Sequence, residues 1–144
     1  MNWKKCVIDD LSNYKSIRQG RDNIKERISA LDAIIFDAGA PELSAAPARK
    51  SGNGYENHLI NYIFEKQQLE LNLKATDAKI KMIEDALKIL NPDEKRILTA
   101  FYIDRPESNV ENYLLKYEHL SRTALYQKRD KAIYKFMIAM YGIA

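Results

Sequence analysis

Apolar residues recur along the first third of the chain at Val7, Leu11, Tyr14, Ile17, Ile24, Ile28, Leu31 and Ile35. From Tyr14 onward the steps are three and four, with Arg21 filling one place, which is the spacing of a helical seam. The pattern predicts one long helix over residues 3–37. Gly20 lies inside it and costs about 1 kcal/mol relative to Ala, so a bend is expected there. Gly39 and Pro41 supply the stop. A second seam runs through Leu59, Tyr62, Lys66, Leu69, Leu73, Thr76, Ile80, Ile83, Leu87 and Leu90. It alternates three and four without a break and predicts a coiled-coil helix over residues 55–90. Neither helix can hide its stripe from water alone. An antiparallel hairpin satisfies both, and so does pairing of a seam with a second copy of the chain. Ile60, Ile63 and Phe64 widen the apolar face beyond a single seam, so the two solutions can coexist.

Residues 39–54 hold three of the five glycines and two of the four prolines. Small and polar side chains fill the rest, so the segment buries too little apolar surface to offset its ordering entropy and is expected to be a flexible connector. Asn91, Pro92, Asp93 and Glu94 form a helix start: an N-cap, a proline at the first helical position and acids in the first turn. The helix that follows should present Leu98, Phe101 and Tyr102 to a core. Arg105-Pro106-Glu107-Ser108-Asn109 breaks it, a short helix is expected over 110–117, and Glu118-His119-Leu120 turns the chain into Ser121. Ser121 is a good N-cap for a last helix reaching Tyr141 before Gly142, with Leu125, Ala132, Ile133 and Phe136 on one stripe. No stretch shows sustained period-two alternation. The expected fold is therefore all-α, with a long antiparallel helical hairpin, residues 1–90, followed by a three-helix domain, residues 91–144.

Charge adds a mild signal. The 144 residues carry 23 basic and 20 acidic side chains, a net charge of +3, which permits nucleic-acid binding without demanding it. The excess gathers in residues 120–136, where Arg122, Lys128, Arg129, Lys131 and Lys135 face only Asp130. One cysteine, Cys6, rules out an internal disulfide framework and suits a reducing compartment. No apolar run approaches the roughly 18 residues of a membrane span, and the N-terminal residues lack a signal-peptide core, so a cytoplasmic location is expected. Catalysis has little support. His58 and His119 lie far apart in unlike settings, no Cys/His cluster has metal-ligand spacing, and no phosphate loop or nucleophile elbow is present. No cofactor is expected, and the chain is not expected to be an enzyme.

The positive case is the succession of helix, short helix, turn and longer capped helix. A helix-turn-helix lays its second helix in the major groove, with side chains near its N-terminus against base edges. Here those side chains are Arg122, Thr123, Tyr126 and Gln127. Arg pairs with guanine and Gln with adenine, while Thr and Tyr serve base or phosphate. Lys128, Lys131 and Lys135 fall where they can meet the phosphate backbone, which makes affinity salt-dependent. The plainer reading of the same face is a solvated surface on a three-helix cap.

The run Leu90-Asn91-Pro92-Asp93-Glu94-Lys95-Arg96-Ile97-Leu98-Thr99-Ala100-Phe101-Tyr102 resembles the opening of a sigma-factor region 4 domain. Ser121 to Leu125, followed by Ala132 and Phe136, is similar to that family's recognition helix. Taken with the two long helices and the connector, the layout resembles phage transcriptional regulators of the ArpU and RinA type. In one respect the chain departs from the pattern: the family spacing puts Glu118 at an apolar position that Tyr117 fills better, so the turn before Ser121 holds one extra residue. The resemblance implies a sequence-specific DNA-binding regulator in a bacterial host, activating late genes of a phage or prophage. It would act on double-stranded DNA as a homo-oligomer held by the long helices, with host RNA polymerase as a further partner. The competing expectation is a helical interaction protein, an RNA polymerase-binding factor or a phage DNA-packaging subunit, whose last domain does not read DNA sequence.

Overall fold

The computed structural model describes residues 1–38, 53–104, 114–115 and 120–142. All the elements are helical: α1 (Trp3–Ser12), α2 (Tyr14–Asp37), α3 (Asn53–Ile89), α4 (Pro92–Leu98), a π-helical turn (Thr99–Asp104) and α5 (Arg122–Tyr141). No strand occurs among the described residues. Most of the expected connector, residues 39–52, lies outside them, as do most of the short helix expected over 110–117 and the turn residues Glu118 and His119. The last two connector positions, 53 and 54, belong to α3.

The first long helix is divided, and not where its glycine predicts. α1 closes at Asn13, whose backbone takes φ −96° and ψ 0°, and whose N–H donates to the Asp9 and Leu11 carbonyls. Asn tolerates this bridge conformation because its short polar side chain competes with helical hydrogen bonding. Gly20 sits inside an unbroken α2, since its propensity cost is too small to break a helix held by packing.

The segment expected to be one helix over α4 is also interrupted. The capping box is formed as its sequence implies: the Asn91 side chain accepts from the Glu94 N–H, and the Glu94 carboxylate accepts from the Asn91 N–H. Beyond Leu98, however, the chain widens into the π-turn. A π-turn closes its hydrogen bonds one residue later than an α-turn, so it shifts the phase of every side chain after it. Leu98 is buried with Tyr102 and Ile103 packed nearby, whereas Ile97, Ala100 and Phe101 turn toward a second cluster. The expected core face of Leu98, Phe101 and Tyr102 is thus split between two cores.

The chain packs as two compact units: Met1–Arg18 with Lys79–Ala144, and Gln19–Ala78. The sequence expectation grouped 1–90 together; here both ends of that span pack with α4 and α5. In the first unit Val7, Leu11, Ile83, Leu98 and Phe136 are all fully buried in one cluster. Trp3 packs against Tyr141 with ring centroids 4.8 Å apart. The Tyr141 hydroxyl donates to Asp10, and the Lys79 ammonium reaches the same carboxylate at 2.9 Å. The second cluster joins Ile97, Ala100 and Leu114 to Leu125 of α5.

In the second unit, Arg21 approaches Asp77 at 3.9 Å, Arg27 grips Glu65 through two nitrogens, and Lys66 pairs with Asp32. Residue 21 of α2 meets residue 77 of α3, whereas residues 27 and 32 meet 65 and 66, so the two segments run in opposite directions here. The seam positions face inward, with Leu31 and Leu59 buried and Ile24, Ile28, Leu69 and Leu73 half-buried.

Candidate nucleic-acid interface

α5 begins as its sequence dictates. The Ser121 hydroxyl accepts from the Ala124 N–H at 3.1 Å, which satisfies one of the orphan amides of the first turn. The helix ends at Gly142, whose φ of 75° is the left-handed conformation that closes helices. Leu125 anchors the first turns against Ile97 and Ala100, and Ala132, Ile133, Phe136, Met137 and Met140 anchor the remainder in the main core. With both ends capped and one side locked, the orientation of the opposite side is fixed.

That opposite side carries Thr123, Gln127 and Lys131, all exposed. At 3.6 residues per turn they fall within an arc of about 80° on successive turns. Arg122 is exposed at the first turn, and Lys128 is half-buried on the flank. Two of the expected contact residues take up different work. The Tyr126 ring lies 6.4 Å from that of Phe101, with the Arg129 guanidinium 4.7 Å from the Tyr126 centroid and 5.3 Å from that of Phe101. A cation between two rings gains quadrupole attraction, so Tyr126 braces α5 on the π-turn. Lys135 reaches the Glu94 carboxylate at 3.1 Å, and the Glu94 side chain is only 9% exposed.

A groove of about 260 Å³ runs between the start of α4 and α5, lined by Asn91, Asp93, Glu94, Lys128, Lys131 and Lys135. Its three ammonium groups face two carboxylates, which moderates the local positive potential. Sequence reading missed Arg129, Phe101 and Glu94. Arg129 follows Tyr126 by three positions, a spacing that places helical side chains together, and this signal was available. The approach of Phe101 depends on the π-turn and left no local trace. Among the described residues, no group of three or more His, Cys, Asp or Glu side chains is placed to hold a metal ion. No described helix is long and apolar enough to cross a membrane.

Comparison of the chain with protein-family models, with curated proteins and with solved structures finds no match.

Proposed function

We propose that residues 91–144 form a helix-turn-helix module of the sigma region 4 kind, in which α5 reads the DNA major groove. In this reading the antiparallel long helices form the hairpin that carries the module. The observation that carries the reading is the exposed line of Thr123, Gln127 and Lys131 on a helix capped by Ser121 and locked from behind by Leu125 and Phe136. Arg122 and Gln127 offer the two side chains best matched to guanine and adenine edges. Thr123 serves base or phosphate, while Lys128 and Lys131 lie where phosphates would flank the groove. Tyr126 supports the helix through Arg129 and Phe101. Lys135 serves the backbone only by exchanging Glu94 for a phosphate. The function is sequence-specific transcriptional regulation, of phage or prophage late genes on the family resemblance, without catalysis.

The two carboxylates in the groove favour a second reading, in which this face docks a protein such as RNA polymerase and never reads sequence. Selection from a randomised duplex library, followed by gel shifts, separates the two. On the first reading Arg122→Ala/Gln127→Ala lowers affinity for the selected site by about 30-fold or more, at roughly 1–3 kcal/mol for each of the two bidentate contacts. Lys131→Ala weakens all sequences alike and lowers the salt slope by about one. Failure to enrich any sequence, or binding indifferent to the double substitution, overturns the DNA reading.

A further inference from the structure

The outward side of α3 carries a strip without charge. Ten positions between Asn57 and Ala78 fall within one arc about 140° wide at 100° per residue. All ten are exposed, and none is Asp, Glu, Lys or Arg. Three are the large apolar residues Ile60, Phe64 and Leu71, which are 49%, 66% and 64% exposed, and the others are Asn, Gln or Ala. A helix face meant for water is normally rich in charge, whereas charge depletion around large apolar residues marks the core of an interface. The strip also lies on a different side of α3 from the seam residues Leu59, Leu69 and Leu73.

Eight of the ten positions exchange with one another when the helix is reversed, while Asn61 and Asn72 fall opposite Lys74 and Ile63 at the strip's edges. Reversing the helix about a point between Gln67 and Gln68 sets Phe64 against Leu71, Ile60 against Ala75, Asn57 against Ala78, and the two glutamines against each other. Large meets large, large meets small, and amide meets amide, with no like charges opposed. That is the self-complementarity a two-fold interface requires. We infer that this face of α3 binds the same face of a second copy, with the two helices antiparallel across a two-fold axis at Gln67 and Gln68. The strip is about 33 Å long, and its ten residues per copy lie below the roughly 20–30 a side of a standard interface. The dimer is accordingly weak and concentration-dependent.

Sedimentation equilibrium of the full chain tests the assignment, with circular dichroism confirming helicity for each variant. The expected result is a monomer–dimer equilibrium that Phe64→Glu or Leu71→Glu weakens at least tenfold while helicity is retained. Geometry is read separately by oxidative cross-linking in a Cys6→Ser background. Gln67→Cys is expected to cross-link to itself, and Ile60→Cys only to Ala75→Cys. A chain monomeric up to several hundred micromolar overturns the proposal. So does a dimer indifferent to both glutamates, which places the contact elsewhere, or self-linking of Ile60→Cys, which makes the pair parallel. None of these readouts involves DNA, so the dimer and the DNA-reading module stand or fall independently.

Discussion

Glu94 serves two elements of the first unit at once. It is only 7% exposed, accepts the Asn91 N–H at 3.1 Å, and holds the Lys135 ammonium at 3.1 Å. Removing it leaves one amide at a helix start without its partner and an ammonium without its counter-charge. Glu94→Ala is expected to cost about 1–2 kcal/mol in urea unfolding. Glu94→Gln should cost less, because its amide oxygen still accepts from Asn91. An equal loss for both would place the weight on the ion pair instead of the cap. The two halves of this arrangement differ in how far they can be read from sequence. Asn91 and Glu94 are three residues apart, so their cap is local and visible in the order of the residues. Lys135 lies 41 positions from its partner, and only tertiary packing brings them together. Local charge therefore made Lys135 look like a phosphate contact, whereas the pairing of Arg129 with Tyr126, three positions apart, is local and readable.

Among the elements, the seams of α2 and α3 were legible because periodicity is a local property that packing then obeys. Each expected seam residue among the described positions is buried or half-buried, Arg21 included. Arg21 shows what such a seam accommodates at a cost: its buried Nε has no hydrogen-bond partner, although the guanidinium approaches Asp22 and Asp77. Arg21→Leu should stabilise the protein by about 1 kcal/mol, because an unsatisfied buried donor is exchanged for an apolar side chain. An unchanged or lower unfolding midpoint would show that the two weak ion pairs outweigh that donor. Gly20 offers an independent gain. A Cβ there meets nothing within 4 Å, and the position is helical, so Gly20→Ala should raise stability by about 0.5–1 kcal/mol in thermal unfolding. The break at Asn13 and the π-turn were not legible. Asn13 is one of several polar residues in a helical pattern, and the π-turn's one-residue delay cannot be told from an ordinary shift of the apolar stripe.

For the molecule as a whole, the contacts that tie the ends of the chain to its middle titrate in alkali. Burial pushes the Tyr14 hydroxyl above its usual value of 10.0, and its 2.7 Å bond to Glu84 adds to the shift. Tyr141 is raised likewise by burial and then by its bond to Asp10. Burial pulls the Lys79 ammonium down, but the hydrogen bond and charge of Asp10 outweigh it and leave it above 10.5. A group whose pKa is raised on folding stabilises fully below its unfolded value and loses that contribution as pH climbs through its folded value. Stability should therefore fall above about pH 10, and Tyr14→Phe/Tyr141→Phe should flatten the decline. Urea midpoints measured between about pH 8 and pH 11 check this; a flat profile in the wild-type chain would count against it. The same unit is also discontinuous in sequence, Met1–Arg18 closing on Lys79–Ala144 with 19–78 between them. On a ribosome that order has a cost in time. Leu11 is made 125 residues before Phe136, the core residue it is buried with. At 5–20 residues per second that is roughly 6–25 s. During that interval the apolar face of α1 lacks its α5 partners and has only the α3, α4 and π-turn residues made before them to pack on, so it stays partly open until the last helix is complete.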